Sequence, residues 1–162
     1  MGITGRQIRD NTVTGADVDE DTLVMKYFTT HKYFEDSNEM ILIRFNAGGV
    51  DPLSGGQVNN KFVAPAGGKL SYVAFRTSGT PLSTEIALLK ISDGTPSFPN
   101  PGSPTAIVTQ NVNQADTVVL FDFSTATDPT FTAGQVLGIR VNPTNNHGNV
   151  DLTCVWEFDW SS

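Results

Sequence analysis

The chain has 162 residues and a mass of 17.4 kDa, the size of one domain with a short appendage. Thr, Val and Ile together number 42 against 20 for Leu and Ala, and Gly (15) and Pro (9) are plentiful. This excludes a helical bundle, a coiled coil and a Rossmann-type enzyme. The net charge is −7 and the ten basic residues are scattered singly, so no nucleic-acid partner is expected, because phosphate binding needs clustered Lys and Arg.

Other classes fall away as quickly. There is no run of 18 apolar residues, so no membrane insertion is expected. The opening MGITGRQIRD lacks the apolar stretch of a secretory signal. Cys154 is the only cysteine, which excludes an internal disulfide framework and a cysteine zinc site. The chain reads as made in a cytoplasm without need of oxidation.

Residues 1–24 form the first unit. Residues 3–12 read ITGRQIRDNT and residues 13–22 read VTGADVDEDT, a ten-residue repeat. Ile3, Ile8, Val13, Val18 and Leu23 make an apolar series spaced every five residues. Five matches neither the 3.6 period of a helix nor the 2 of a strand. About twenty residues with five spaced apolar side chains cannot bury them on themselves, so the segment is expected to dock on symmetry mates or on another protein.

ITGRQIRDNTVTGADVDEDTL is similar to the short I-T-G-x-x-I-x-D-x-T repeats near the N-termini of tail fibres and head-decorating fibres in tailed bacteriophages. The resemblance covers about 21 residues and implies an arm that trimerises or attaches to the virion. Ile3, Ile8, Val13, Val18 and Leu23 would carry that anchoring and oligomerisation role.

Residues 25–38 read as a transition, aromatic through Tyr27, Phe28, Tyr33 and Phe34 and closed by a turn at Glu35-Asp36-Ser37-Asn38. The aromatic rings are expected to pack against the base of the main domain.

Residues 39–162 form the main domain. Strands are predicted near 39–46, 60–63, 69–77, 84–92, 106–112, 117–123, 135–142 and 149–160, divided by clusters of Gly, Pro and Asn. That spacing predicts an all-β, antiparallel sandwich of jelly-roll type with an extended N-terminal arm. The last strand alternates clearly: Val150, Leu152, Cys154, Trp156, Phe158 and Trp160 on one side, Asp151, Thr153, Val155, Glu157 and Asp159 on the other. In 39–45 and 84–92 both faces are apolar. Those strands are expected to be central, or covered on their second face by a neighbouring subunit. FVAPAGGKLSYVAFRTS (62–78) and FTAGQVLGIRVNPT (131–144) resemble cores of jelly-roll modules in phage accessory proteins. The second also resembles a strand of trimeric jelly rolls of the tumour-necrosis-factor and C1q type.

No catalytic apparatus is apparent. The two histidines, His31 and His147, read as surface polar residues. Asp17, Asp19, Glu20 and Asp21 form an acidic run without the ligand alternation and Gly of a calcium loop. Glu157 and Asp159 share the polar face of the last strand, a pairing that suits glycosidases but needs no such role. Cys154 reads as a buried structural thiol. No enzyme activity, metal or cofactor is expected.

The expected function is a structural protein of a bacteriophage virion, a homotrimer docked by residues 1–24 on a major capsid protein or a vertex or tail protein. A capsid decoration protein or short head fibre is expected over a tail fibre, because tail fibres are much longer and a chain opening on Met1 reads as complete. The alternative is a tail fibre or baseplate receptor-binding protein that recognises host surface glycan through loops 47–57, 93–105 and 143–149, with Asn145, Asn146 and His147 facing the receptor. A third reading is a carbohydrate-binding module or cytokine-like ligand, disfavoured by the absence of a signal peptide and disulfides.

Overall fold

The computed structural model describes residues 24–33, 40–45, 50–52, 61–92, 98, 104 and 106–159. The arm residues Ile3, Ile8, Val13, Val18 and Leu23, the acidic run and most of loops 47–57 and 93–105 lie outside those residues.

Among the described residues eleven strands form two sheets. They are β1 (Val24–Tyr33), β2 (Ile41–Ile43), β3 (Val50–Pro52), β4 (Phe62–Val63), β5 (Gly67–Thr77), β6 (Leu82–Ile91), β7 (Ala106–Val112), β8 (Val119–Asp122), β9 (Thr130–Phe131), β10 (Val136–Pro143) and β11 (Val150–Asp159). The first sheet runs β1-β11-β5-β8, with β9 beside β5; the second runs β3-β2-β10-β6-β7, with β4 beside β10. Every pairing is antiparallel. Setting aside the short β3, β4 and β9, the first and last strands pair, and the chain alternates between sheets except at the β6-β7 hairpin, as in two interlocked Greek keys. This is the jelly-roll order.

The predicted strands all have counterparts, and three strands were not anticipated. Two are the short β3 and β9. The third, β1, starts at Val24, the last residue of the first unit, and otherwise lies in 25–38, the segment expected to be a transition. It pairs with β11 over ten residues, from Val24 opposite Asp159 to Tyr33 opposite Val150. The sandwich therefore begins at Val24 rather than at residue 39. The Thr- and aromatic-rich sequence of β1 suits a strand, but its alternation is obscured because exposed aromatics stand on it.

The inner faces meet in a single core. Phe75, Phe121, Leu137, Ile139, Leu152 and Trp156 are fully buried there. Trp156 packs against Phe45, Phe62 and Phe131 at centroid distances of 5.0–6.3 Å, and its indole N–H donates to Thr29 Oγ1 at 3.2 Å. That bond ties the edge strand β1 to the core.

The two strands with apolar faces on both sides are β2 and β6, and both are interior to their sheet. Ile41, Ile43, Ile86 and Leu88 face the main core. Leu42, Leu89 and Ile91 form a second cluster with Val136 on the opposite face. Phe98, from the Pro-rich loop after β6, is buried on that cluster, with the Lys61 ammonium 5.3 Å from its ring centroid. Phe98 of the same chain covers this cluster, and both strands are central as the first alternative held.

Candidate interaction surface

Apolar side chains left in water cluster on the outer face of the first sheet. Side chains alternate along each strand, so Phe28 (β1), Val155 (β11) and Tyr72 (β5) lie in one cross-strand row that ends at Asp122 (β8). Ala74 and Leu120 lie in the next, after Thr30 and Thr153. Val118, immediately before β8, is exposed as well. Phe28 is 67% exposed, Leu120 60%, Val118 57% and Tyr72 40%. An exposed Phe and an exposed Leu on one sheet face are informative, because large contiguous apolar patches are uncommon on monomers.

Ion pairs border this stripe at both ends. Towards the start of β1, Glu157 lies 3.4 Å from Lys26 and 3.0 Å from Lys69. Burial pushes the Glu157 carboxyl up, but hydrogen bonds from Lys69, Ser71 and Lys26 outweigh it and leave it below the usual carboxylate range. Towards the other end, Arg76 bridges Asp151 at 3.0 Å and Asp116 at 2.6 Å. Glu157 is thus engaged by two lysines rather than poised with Asp159 for acid–base chemistry.

An open groove of about 730 Å³ lies at the end of the sandwich where β1 begins. Gly67, Gly68, Phe131, Glu157 and Asp159 line it. Gly68 is required by close approach: a Cβ there would run into the Glu157 carbonyl oxygen. Gly134 supplies the turn before β10, at φ +81°.

The loop expected to face a receptor, 143–149, lies at the opposite end of the sandwich. It is bound into the fold. Asn145 N donates to the Pro81 carbonyl at 3.1 Å and its side-chain amide to the Thr80 carbonyl at 3.2 Å. Asn146 Oδ1 accepts from Gly148 N at 2.8 Å, an Asx turn. His147 is fully buried, contrary to the expectation of a surface residue, with Nδ1 2.6 Å from the Gly148 carbonyl. The turn at 78–79 packs over it, as Gly79 N donates to the His147 carbonyl at 3.0 Å. Of the three residues only Asn145 is exposed.

His31 is likewise buried rather than superficial. Its Nδ1 lies 2.7 Å from the Arg44 carbonyl, and its ring meets Phe45 edge-on at 4.9 Å. A carbonyl only accepts, so Nδ1 carries the proton. Burial lowers the pKa of His31, partly offset by that hydrogen bond. Cys154 lies in the core as expected, and desolvation pushes its thiol up to about 12. Among the described residues, no three His, Cys, Asp or Glu side chains are grouped to hold a metal ion.

The molecule is thus defined as an all-β jelly-roll sandwich. No protein-family model matches the chain, and no curated protein matches it. Among solved structures it is similar to a chain of the "Acidic stable capsid structure of Helicobacter pylori bacteriophage KHP30". The identity is 15%, the overlap covers 86% of this chain and 95% of that one, and the TM-score is 0.38. An overlap of that quality adds nothing to the fold, which rests on the strand order above.

Proposed function

We propose that this chain is a non-enzymatic structural protein of a bacteriophage virion, anchored by its N-terminal arm and projecting the sandwich. The observation that carries the reading is the ten-residue repeat, similar to the N-terminal repeats of phage fibres, running straight into β1. The geometry supports it. The arm joins the sandwich at Val24, beside Asp159 and the groove. Loops 78–81 and 143–149 lie at the far end of ten-residue strands, roughly 33 Å away. An arm fixed at one end leaves those loops outermost.

Within that class a homotrimeric capsid decoration protein or short head fibre is the first reading. Decoration adds contacts to a shell already closed, and a binder of the intact state stabilises it by mass action. A tail or baseplate receptor-binding protein is the second, favoured by the exposed Asn145 at the distal end.

Two measurements test this on the phage that encodes the chain. Gold labelling of a C-terminal tag should decorate heads; tail label selects the second reading, and unlabelled virions overturn both. A null mutant should yield infectious particles that are less resistant to heat or dilution. Stable particles unable to adsorb would move the protein to the tail.

A further inference from the structure

We infer that the outer face of the β1-β11-β5-β8 sheet is the surface through which copies of this chain pack on one another, with Phe28 and Leu120 as its anchors. The inference rests on the trimeric reading above and says where the contact lies. An apolar band bordered at both ends by ion pairs has the anatomy of an interface core inside a polar rim. Three strands of ten or eleven residues, about 4.8 Å apart, and the four-residue β8 present a face of roughly 550 Å². Such a footprint is about two-thirds of the ~800 Å² per partner of a standard interface, and side chains at its rim add to it.

Charge selects the occupant. The whole chain carries −7, so two copies repel over most of their surface. On this face Lys26 and Lys69 flank Glu157, Arg76 bridges Asp151 and Asp116, and Asp122 beside Tyr72 accepts from Ser124 N. Three of the ten basic residues lie here, so repulsion between like chains is lower than over the rest of the surface. The large apolar residues sit towards opposite edges, Phe28 on β1 and Leu120 on β8, with Tyr72, Ala74 and Val155 between. A copy can offer its β1 side to one neighbour and its β8 side to another, as a closed ring requires.

The test is the mass of the full-length chain in solution by light scattering, with folding checked by circular dichroism. The native chain should give three times 17.4 kDa. Phe28→Glu and Leu120→Glu should each reduce it to the single-chain mass. Phe28→Leu should retain the trimer. So should Val63→Glu, which alters an equally exposed residue (62%) on β4 of the other sheet. If Leu120→Glu does not fold, Leu120→Thr, a residue strands accept, takes its place. A native trimer unaffected by Phe28 and Leu120 substitutions overturns the inference and leaves the trimeric reading intact. A native chain that is monomeric both free and on virions overturns both. Variants that stay trimeric but no longer bind virions would assign the face to a virion partner and overturn the inference.

Discussion

Truncating Phe98 to Ala separates a self-covered sheet from one that waits for a neighbour. Phe98 is buried against Leu42, Leu89 and Ile91 on the outer face of the second sheet. Removing a buried Phe side chain from a packed site costs about 3–5 kcal/mol. The low end applies here, since a loop can partly collapse onto the gap. The Lys61 contact at 5.3 Å adds about 0.5–1 kcal/mol to the loss. The expected destabilisation is therefore about 3–4 kcal/mol. Phe98→Leu keeps most of the volume and should cost under about 1.5 kcal/mol. Urea unfolding at fixed protomer concentration measures both. With a slope of about 2 kcal/mol/M, the Ala variant should shift the midpoint down by about 1.5–2 M. A shift below about 0.3 M would show that Phe98 is not the cover, and that Leu42, Leu89 and Ile91 are shielded by something else.

Removing residues 1–23 should leave the thermal midpoint within about 2 °C and abolish virion binding; a cut reaching into β1 should lower the midpoint, because Thr29 would lose its bond to Trp156. Cys154 should ignore thiol reagents at pH 8 and react once per chain in urea, since a thiol with a pKa of about 12 is almost wholly protonated; rapid labelling of the folded protein would refute its burial. Gly68→Ala should lower the midpoint by several degrees, because its Cβ meets backbone and about 1–3 kcal/mol of overpacking strain corresponds to about 2–4 °C per kcal/mol. Stability should fall on acidification in two stages. The neutral His31 is favoured in the fold, so its contribution is complete above pH 6.5 and is lost as pH falls from there through its lowered native pKa. The contributions of Glu157 and Asp128, whose native values are also lowered, are present above the usual carboxylate range and vanish below it. His31→Asn should remove the first stage of a pH titration of the unfolding midpoint and leave the second.

The sandwich was legible because two-residue alternation and turn residues are local signals. Val150 to Phe158 shows its buried face in the sequence alone, since a half-buried strand must alternate whatever it packs against. The arm's ten-residue repeat is equally local. β1 was obscured because Phe28 stands exposed on a strand whose inward side carries Thr29 and His31, so polarity inverts the usual pattern. His147 sits in a Pro-Thr-Asn-Asn-His-Gly run that reads as a surface loop; only the turn at 78–79, some seventy residues earlier, closes over it. Likewise both apolar faces of β2 and β6 were visible in the chain, but apolarity says that a face must be covered and not by what. Phe98 settles one face, and sheet order decides which exposed rings, Phe28, Tyr72 and Leu120, become neighbours. Their juxtaposition is a matter of long-range register, which no local pattern encodes.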